Sequence, residues 1–295
     1  RPAELLDSLV AAFSNLATDD SAGATAPGNA ARSEHILLAE DNSTNQQVAI
    51  GILGKLGYTR VDVVANGAEA IQALTTVPYD LVFMDVQMPE VDGLQATRLI
   101  RDPATPVLNH RVPIVAMTAH ATPADRELCL AAGMDDYLTK PLKADALREK
   151  LSRWIQGSVT PEIPAADATA SSPPPVPEVP MAFNHAALLA RVLGDETLVR
   201  TFLSKFLEDF PLTLEALRAA LQAQNPKSAT LHAHTIKGAA ANIGGELLHR
   251  TAADMEKAGQ AGALDRMQSL LGELETRATE LIGALHAHLS QPPKP

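Results

Sequence analysis

The sequence predicts an α/β domain with a doubly wound parallel sheet of (βα)5 type, followed by an all-α domain built as a four-helix bundle. Three observations predict it. Five short apolar runs alternate with helix-like stretches over residues 34–156. Residues 182–290 are periodic at helical spacing throughout. Between the two lies 157–181, rich in Pro, Ala and Ser, whose composition buries too little apolar surface to offset the entropy of ordering.

The five runs are Ile36–Ala39, Val61–Val64, Leu81–Met84, Ile114–Met117 and Tyr137–Leu138. Apolar runs of this kind suit strands buried on both faces by alternating helices. In such sheets a site forms at the carboxyl ends of the strands. That rule selects Glu40 and Asp41 after the first strand, Asp85 after the third, Thr118 after the fourth and Lys140 after the fifth. In the second domain, breaks are expected at Gly194-Asp195, Asn225-Pro226, Gly244-Gly245 and Gly262, with Asp195 as a helix N-cap. The breaks leave long helices with short connections, the mark of an antiparallel bundle, here with a short leading helix.

Upstream, 17–33 reads as a polar linker and 1–16 as an amphipathic helix. "RPAELLDSLVAAF" at 1–13 aligns with "KADALREKLSRW" at 143–154, Leu5 on Leu147 and Leu9 on Leu151. It reads either as the end of an upstream copy of the α/β domain or as an unrelated helix. The chain opens on Arg1 and is read as a piece of a longer protein.

Composition narrows function. The 295 residues carry a net charge of −11, which argues against nucleic acid and against direct contact with anionic membranes. No apolar run reaches the roughly 18 residues of a membrane span. One cysteine, Cys129, excludes an internal disulfide, fits a reducing, cytoplasmic setting, and reads as a small core residue.

Glu40, Asp41 and Asp85 meet at one sheet edge, where three carboxylates repel unless a cation joins them. Oxygen ligands alone suit Mg2+. A cation there keeps Asp85 ionised and neutralises an incoming phosphoryl group. Lys140 adds a second positive charge, and the Thr118 hydroxyl donates to a phosphoryl oxygen. The chemistry is phosphoryl transfer by positioning and charge neutralisation, with Asp85 as covalent acceptor.

"ILLAEDN", "VFMDVQMPEVDG", "IVAMTA" and "DDYLTKP" resemble the response-regulator receiver domain of two-component signalling. The resemblance implies phosphorylation of Asp85. It implies Mg2+ bound by Asp41, Asp85 and the backbone carbonyl of Gln87, with Glu40 acting through water. It also implies phosphoryl contacts from Thr118 and Lys140, and Tyr137 as an aromatic switch coupled to Thr118. The stretch 101–113 is a slightly long connection against that pattern.

A second motif lies at "TLHAHTIKGAAANIG", 230–244. On a helix turning about 100° per residue, Ala229, Ala233, Ile236, Ala240 and Ile243 form the core stripe. His234 falls about 140° from its centre and is expected to face solvent, with Lys237 at i+3 and Gly238 at i+4. Glycine inside a helix costs about 1 kcal/mol relative to Ala, so room for a partner is the reason sought for it. His232 lies at the stripe's border, and Leu231 adds apolar surface on the outer side. The rings of His232 and His234, like those of His286 and His288, point too far apart to share a metal, and His249 reads as a surface residue.

"AHTIKGAAANIG" resembles the core of the histidine phosphotransfer (HPt) domain. The resemblance makes His234 the phosphorylated residue, aided by Lys237, with Gly238 admitting a receiver. Receiver followed by HPt is similar to the C-terminal part of a hybrid sensor histidine kinase. It implies a kinase core as phosphoryl donor, in the same parent chain or a separate one, and a downstream response regulator as acceptor. No ATP lid is present, so this stretch is not expected to use ATP. A haloacid-dehalogenase-like phosphatase shares the Asp, Thr, Lys and Mg2+ but needs an Asp at position 87, where this chain has Gln. A non-catalytic scaffold is the remaining alternative. Docking is expected through the first receiver helix, with Ile50 off its core stripe and Asn45 and Gln46 near the acidic edge.

Overall fold

The computed structural model describes residues 32–119, 122–155 and 181–291. The segments read as the helix 1–16 and as most of the two linkers lie outside them. The α/β domain runs β1 (Arg32–Ala39), α1 (Ser43–Lys55), β2 (Tyr58–Val64), α2 (Gly67–Thr76), β3 (Leu81–Asp85), α3 (Gly93–Arg101), β4 (Ile114–Thr118), α4 (Pro123–Ala132), β5 (Asp136–Thr139) and α5 (Ala144–Ile155). All strand pairs are parallel, in the order β2-β1-β3-β4-β5.

Alternation along the strands explains the two-sided core. Ile36, Leu38, Phe83, Val115 and Met117 point to the face covered by α1 and α5. Leu37, Ala39, Met84, Ile114 and Ala116 point to the other, with Ala70 of α2, Ile100 of α3 and Cys129 of α4. Cys129 is a core residue, as expected.

Helix starts follow from short polar caps that satisfy an orphan backbone N–H. Asn42 accepts from the Asn45 amide at 2.9 Å, Asn66 from Glu69 at 2.9 Å, and Asp92 from Gln95 at 2.7 Å. β1 starts at Arg32, inside the stretch whose composition reads as linker. Arg32 donates its backbone N–H to the Gly57 carbonyl, and its guanidinium donates to the Tyr58 hydroxyl at 3.0 Å. The long connection after α3 is pinned by Arg101, which donates to the carbonyls of Gly133 and His110 and pairs with Asp135 at 2.7 Å.

The second domain comprises a short α6 (His185–Arg191), then α7 (Glu196–Gln222), α8 (Pro226–Ile243), α9 (Glu246–Gln260) and α10 (Leu264–Leu289). Each break falls where the sequence places it. Asp195 caps α7 by accepting from Leu198 at 3.0 Å, Asn225 caps α8, and Gly244 ends α8 in the left-handed region. The predicted stripe of Ala229, Ala233, Ile236, Ala240 and Ile243 is buried. Among the described residues, no helix is long and apolar enough to cross a membrane.

Gly93 fixes the loop that follows Asp85. Its N–H donates to the Val86 carbonyl at 3.0 Å, and a Cβ added there would collide with the Asp85 carbonyl oxygen. Gly54 of α1 has open space around it. Urea unfolding should therefore separate the two. Gly93→Ala should destabilise the chain by about 1–3 kcal/mol, whereas Gly54→Ala should be neutral or stabilising by up to ~1 kcal/mol. Equal effects would show that the close approach at Gly93 is not a constraint.

Candidate phosphoryl-transfer site

Parallel strands deliver their carboxyl ends to one edge, so residues distant in sequence converge. Glu40 follows β1, Asp85 ends β3, Thr118 ends β4 and Lys140 follows β5. The ligand oxygens of Glu40, Asp41 and Asp85 lie within 4.8 Å of one another. The Lys140 ammonium sits among them, 2.5 Å from Asp85 and 2.6 Å from Glu40. Its backbone N–H donates to the Thr118 carbonyl at 2.7 Å, which ties the fifth strand's end to the fourth's. Asn45 donates to Glu40 at 2.7 Å, and the Gln87 N–H approaches Asp85 at 3.3 Å. Tyr137 lies on β5, partly buried, with the Arg126 guanidinium 5.6 Å from its ring centroid.

The electrostatics are unbalanced. Burial, with Glu40 and Asp41 adding to it against Lys140, holds the Asp85 carboxyl well above the usual range. Burial and Glu40 push Asp41 up to about 6. Burial works to lower the Lys140 pKa, but Asp85 and Glu40 outweigh it and hold the ammonium above its ordinary value. Three carboxylates thus share one ammonium. An all-oxygen set with a deficit of positive charge fits a hard divalent cation.

The second half of the site comes from α8 and α9. His234 Nδ1 lies 2.8 Å from a Glu256 oxygen, and Lys237 pairs with the other oxygen of Glu256 at 2.5 Å. Burial works to raise the Glu256 pKa, but His234 and Lys237 outweigh it and bring it to about 2. Burial lowers the His234 pKa below its ordinary value; Glu256 opposes this, and the Lys237 and Lys140 cations add to it. The histidine is therefore neutral near pH 7. Glu256 as a carboxylate only accepts, so the ring proton sits on Nδ1 and Nε2 keeps its lone pair.

Two sequence expectations change here. His234 does not face solvent; it is 7% exposed, because α1 of the first domain packs over α8 and Glu256 holds the ring from α9. Nor does Lys237, read as an aid beside His234, share an outward face with it. It is 3% exposed and bound to Glu256. Glu256 itself escaped sequence reasoning. The signal was available: it stands four residues after Ala252 and eight after Leu248, so an acid occupies the buried stripe of α9.

The two halves meet. Thr235 of α8 lies near Asp41, the Lys140 cation acts on His234, and Asn242 donates to Asn45 at 2.6 Å. Gly238 lies under Asn45, with an added Cβ 3.2 Å from its amide nitrogen. His232 is outside this group and half-buried. The His249 ring is hydrogen-bonded to the Lys237 carbonyl. His288 pairs with Glu196 at 2.9 Å, as does His185, tying together α6, α7 and α10, while His286 is exposed.

Residues 36–152 match the response regulator receiver domain, and residues 201–287 match the Hpt domain. The sensor histidine kinase GacS of Pseudomonas protegens is 31% identical over 253 residues, covering 84% of this chain and 27% of that protein. The signal transduction histidine-protein kinase BarA of Escherichia coli is 30% identical over 211 residues, covering 69% of this chain and 21% of its own. The receiver domain of sensor histidine kinase PA1611 from Pseudomonas aeruginosa, solved with a magnesium ion in its active site cleft, is 46% identical. It covers 42% of this chain and 99% of that one, at a TM-score of 0.39. The chain thus spans only about a quarter of the length of the GacS relative.

Glu256→Gln tests the hydrogen-bond geometry. Nitrogen NMR of the wild-type ring should show His234 with its proton on Nδ1 at neutral pH; the variant should lose that preference. Glu256 contributes stability that is present above its unfolded value of 4.5 and lost as pH falls towards about 2. Acid unfolding of Glu256→Gln should therefore show a shallower slope in that window. An unchanged slope and tautomer would remove Glu256 from this role.

Proposed function

Because this chain is a two-component phosphorelay module, a receiver domain followed by an Hpt domain, we propose that Asp85 and His234 are its two phosphoryl-carrying residues. The observation that supports the reading is the packing of α1, beside the Asp85 cluster, on the helix that carries His234, with Asn242 donating to Asn45 and Asn45 to Glu40.

The donor is a phosphohistidine on a kinase core, in the same parent protein or a separate one. An Asp85 oxygen attacks phosphorus. The donor's N–P bond breaks, and its electron pair stays on the departing imidazole. Lys140 neutralises charge on the phosphoryl oxygens, and the Thr118 hydroxyl donates to one of them. Asp41, Asp85 and the Gln87 carbonyl would hold Mg2+, with Glu40 through water, and the bound ion would supply the positive charge that the three carboxylates lack. Tyr137, on the strand beside Thr118, reads the state of the site.

In the second step the His234 Nε2 lone pair attacks the phosphorus of phosphorylated Asp85. The P–O bond breaks and its electron pair restores the carboxylate. The ring becomes an imidazolium whose Nδ1–H stays against Glu256. That carboxylate, itself braced by Lys237, stabilises the charge formed on the ring. His234 then passes the group to the Asp of a downstream response regulator. Placing this module in a hybrid sensor histidine kinase whose parent is anchored in the inner membrane belongs to the same reading.

Labelling from a phosphorylated kinase should give Asp85 first and His234 second. Asp85→Asn should abolish the acid-stable, base-labile label. His234→Gln should leave Asp85 labelled and block passage to a separate receiver. Asp41→Asn should weaken Mg2+ binding by at least about tenfold, ~1.4 kcal/mol, in calorimetric titration. Normal onward passage by His234→Gln would contradict the assignment of His234.

A further inference from the structure

The bundle domain holds a second convergence of ligating groups, which shares no residue with the site described above. His185 opens α6, Glu196 opens α7, and His288 lies in the last turn of α10. His185 Nε2 is 2.9 Å from one Glu196 oxygen, and His288 Nε2 is 2.9 Å from the other. The two imidazole rings face each other, with centroids 4.4 Å apart and planes at 37°. Phe183 packs against both rings, at 6.1 and 5.6 Å. The group is nevertheless open to solvent, since the side chains of His185, Glu196 and His288 are 34%, 23% and 18% exposed.

The backbone under each of the three is held in place. Asn184, just before His185, caps α6 by accepting from the Ala187 N–H at 3.0 Å and donates to Glu246 at 2.8 Å. Arg200, one turn after Glu196, gives its guanidinium to the carbonyls of Leu289 and Gln291. That fixes the end of α10 beside α7 and leaves the Glu196 carboxylate to the two rings. His286 and His288 diverge on their own helix, but packing supplies His288 with a different partner from the start of the domain.

One imidazole is enough to satisfy a carboxylate. A second ring stacked on the first sets two like dipoles, or two like charges, side by side. A metal ion makes ligands of that juxtaposition. In a tetrahedral site with bonds of about 2.0–2.1 Å, ligand atoms stand about 3.3 Å apart. Here the three ligand atoms lie within 4.8 Å of one another, and the two N–O separations are 2.9 Å, so small side-chain rotations reach that geometry. We propose that His185, Glu196 and His288 form a divalent transition-metal site, with two Nε2 atoms and a Glu196 oxygen as ligands, water completing the shell and Zn2+ as the fitting ion. Each neutral ring keeps its one proton on Nδ1 and presents the Nε2 lone pair. Two nitrogens and one oxygen suit Zn2+ and not Mg2+, which asks for oxygen. The ion would clamp the chain's entry into the bundle and its last helix to the start of α7. It would bind the folded domain and stabilise it by mass action.

The test uses the full chain, stripped with chelator and kept in excess Mg2+ so that the acidic cluster is occupied. Calorimetric titration with Zn2+ should show one site, and the thermal midpoint should rise by at least about 3 °C. Co2+ in its place should give the visible absorption of a four-coordinate N/O site. His185→Gln, His288→Gln and Glu196→Gln should each weaken Zn2+ binding at least about tenfold, with His286→Gln unchanged. Proton NMR of the wild type gives a reading that needs no variant: Zn2+ should shift the His185 and His288 ring resonances and leave those of His286. No saturable binding in Mg2+, unshifted His185 and His288 resonances, or equal affinity in the three variants overturns the site. A stability loss in the variants that is the same with and without Zn2+ also overturns it, since a hydrogen-bonded triad alone behaves so. The relay reading is untouched by any of these results.

Discussion

Buried charge without an equal counter-charge is the constraint on which this molecule turns. At the sheet edge, Glu40, Asp41 and Asp85 share the single ammonium of Lys140. Across from them, Glu256 is matched by Lys237 and orients a neutral His234. The first cluster needs added positive charge to hold Asp85 ionised, and the second has just enough to keep an imidazole neutral with its lone pair exposed to one side. A nucleophile that depends on a cation and a nucleophile that depends on a hydrogen bond therefore stand in one contact. The fold supplies the first through parallel strands that end together, and the second through adjacent helices of a bundle.

The backbone features that look incidental serve that contact. Gly93 lets α3 start directly beneath the Asp85 carbonyl, which holds the loop carrying Gln87. Gly238 leaves Asn45 room above α8, where it joins Glu40 to Asn242. Asp195 acts twice, capping α7 through the Leu198 N–H and pairing with Lys55 of the other domain. Residues that terminate or interrupt helices thus also define how the domains meet.

Much of this was legible in the sequence because it rests on local rules. Apolar runs mark the strands, Asp195 marks a helix start, and acids placed just after strands mark the edge where a site forms. The core stripe of α8 follows from helical periodicity alone. What could not be read was which helix faces which. The wheel placed His234 away from the bundle stripe, correctly, but a side chain outside one core can be buried in another contact. Glu256 lies 22 positions from His234, and only the packing of α9 on α8 brings the two together. Asn45, Ser43 and Lys55 look like an ordinary polar helix face until a partner surface is known, although the first helix was the expected docking element.

The most direct measurement is phosphorus NMR of the full chain after brief exposure to a phosphorylated kinase. The account predicts an acyl-phosphate resonance that appears first and decays as a phosphoramidate resonance grows, the latter on Nε2 of His234 and absent from Asp85→Asn. A phosphoramidate that forms at the wild-type rate in Asp85→Asn, or one attached to Nδ1, would contradict it.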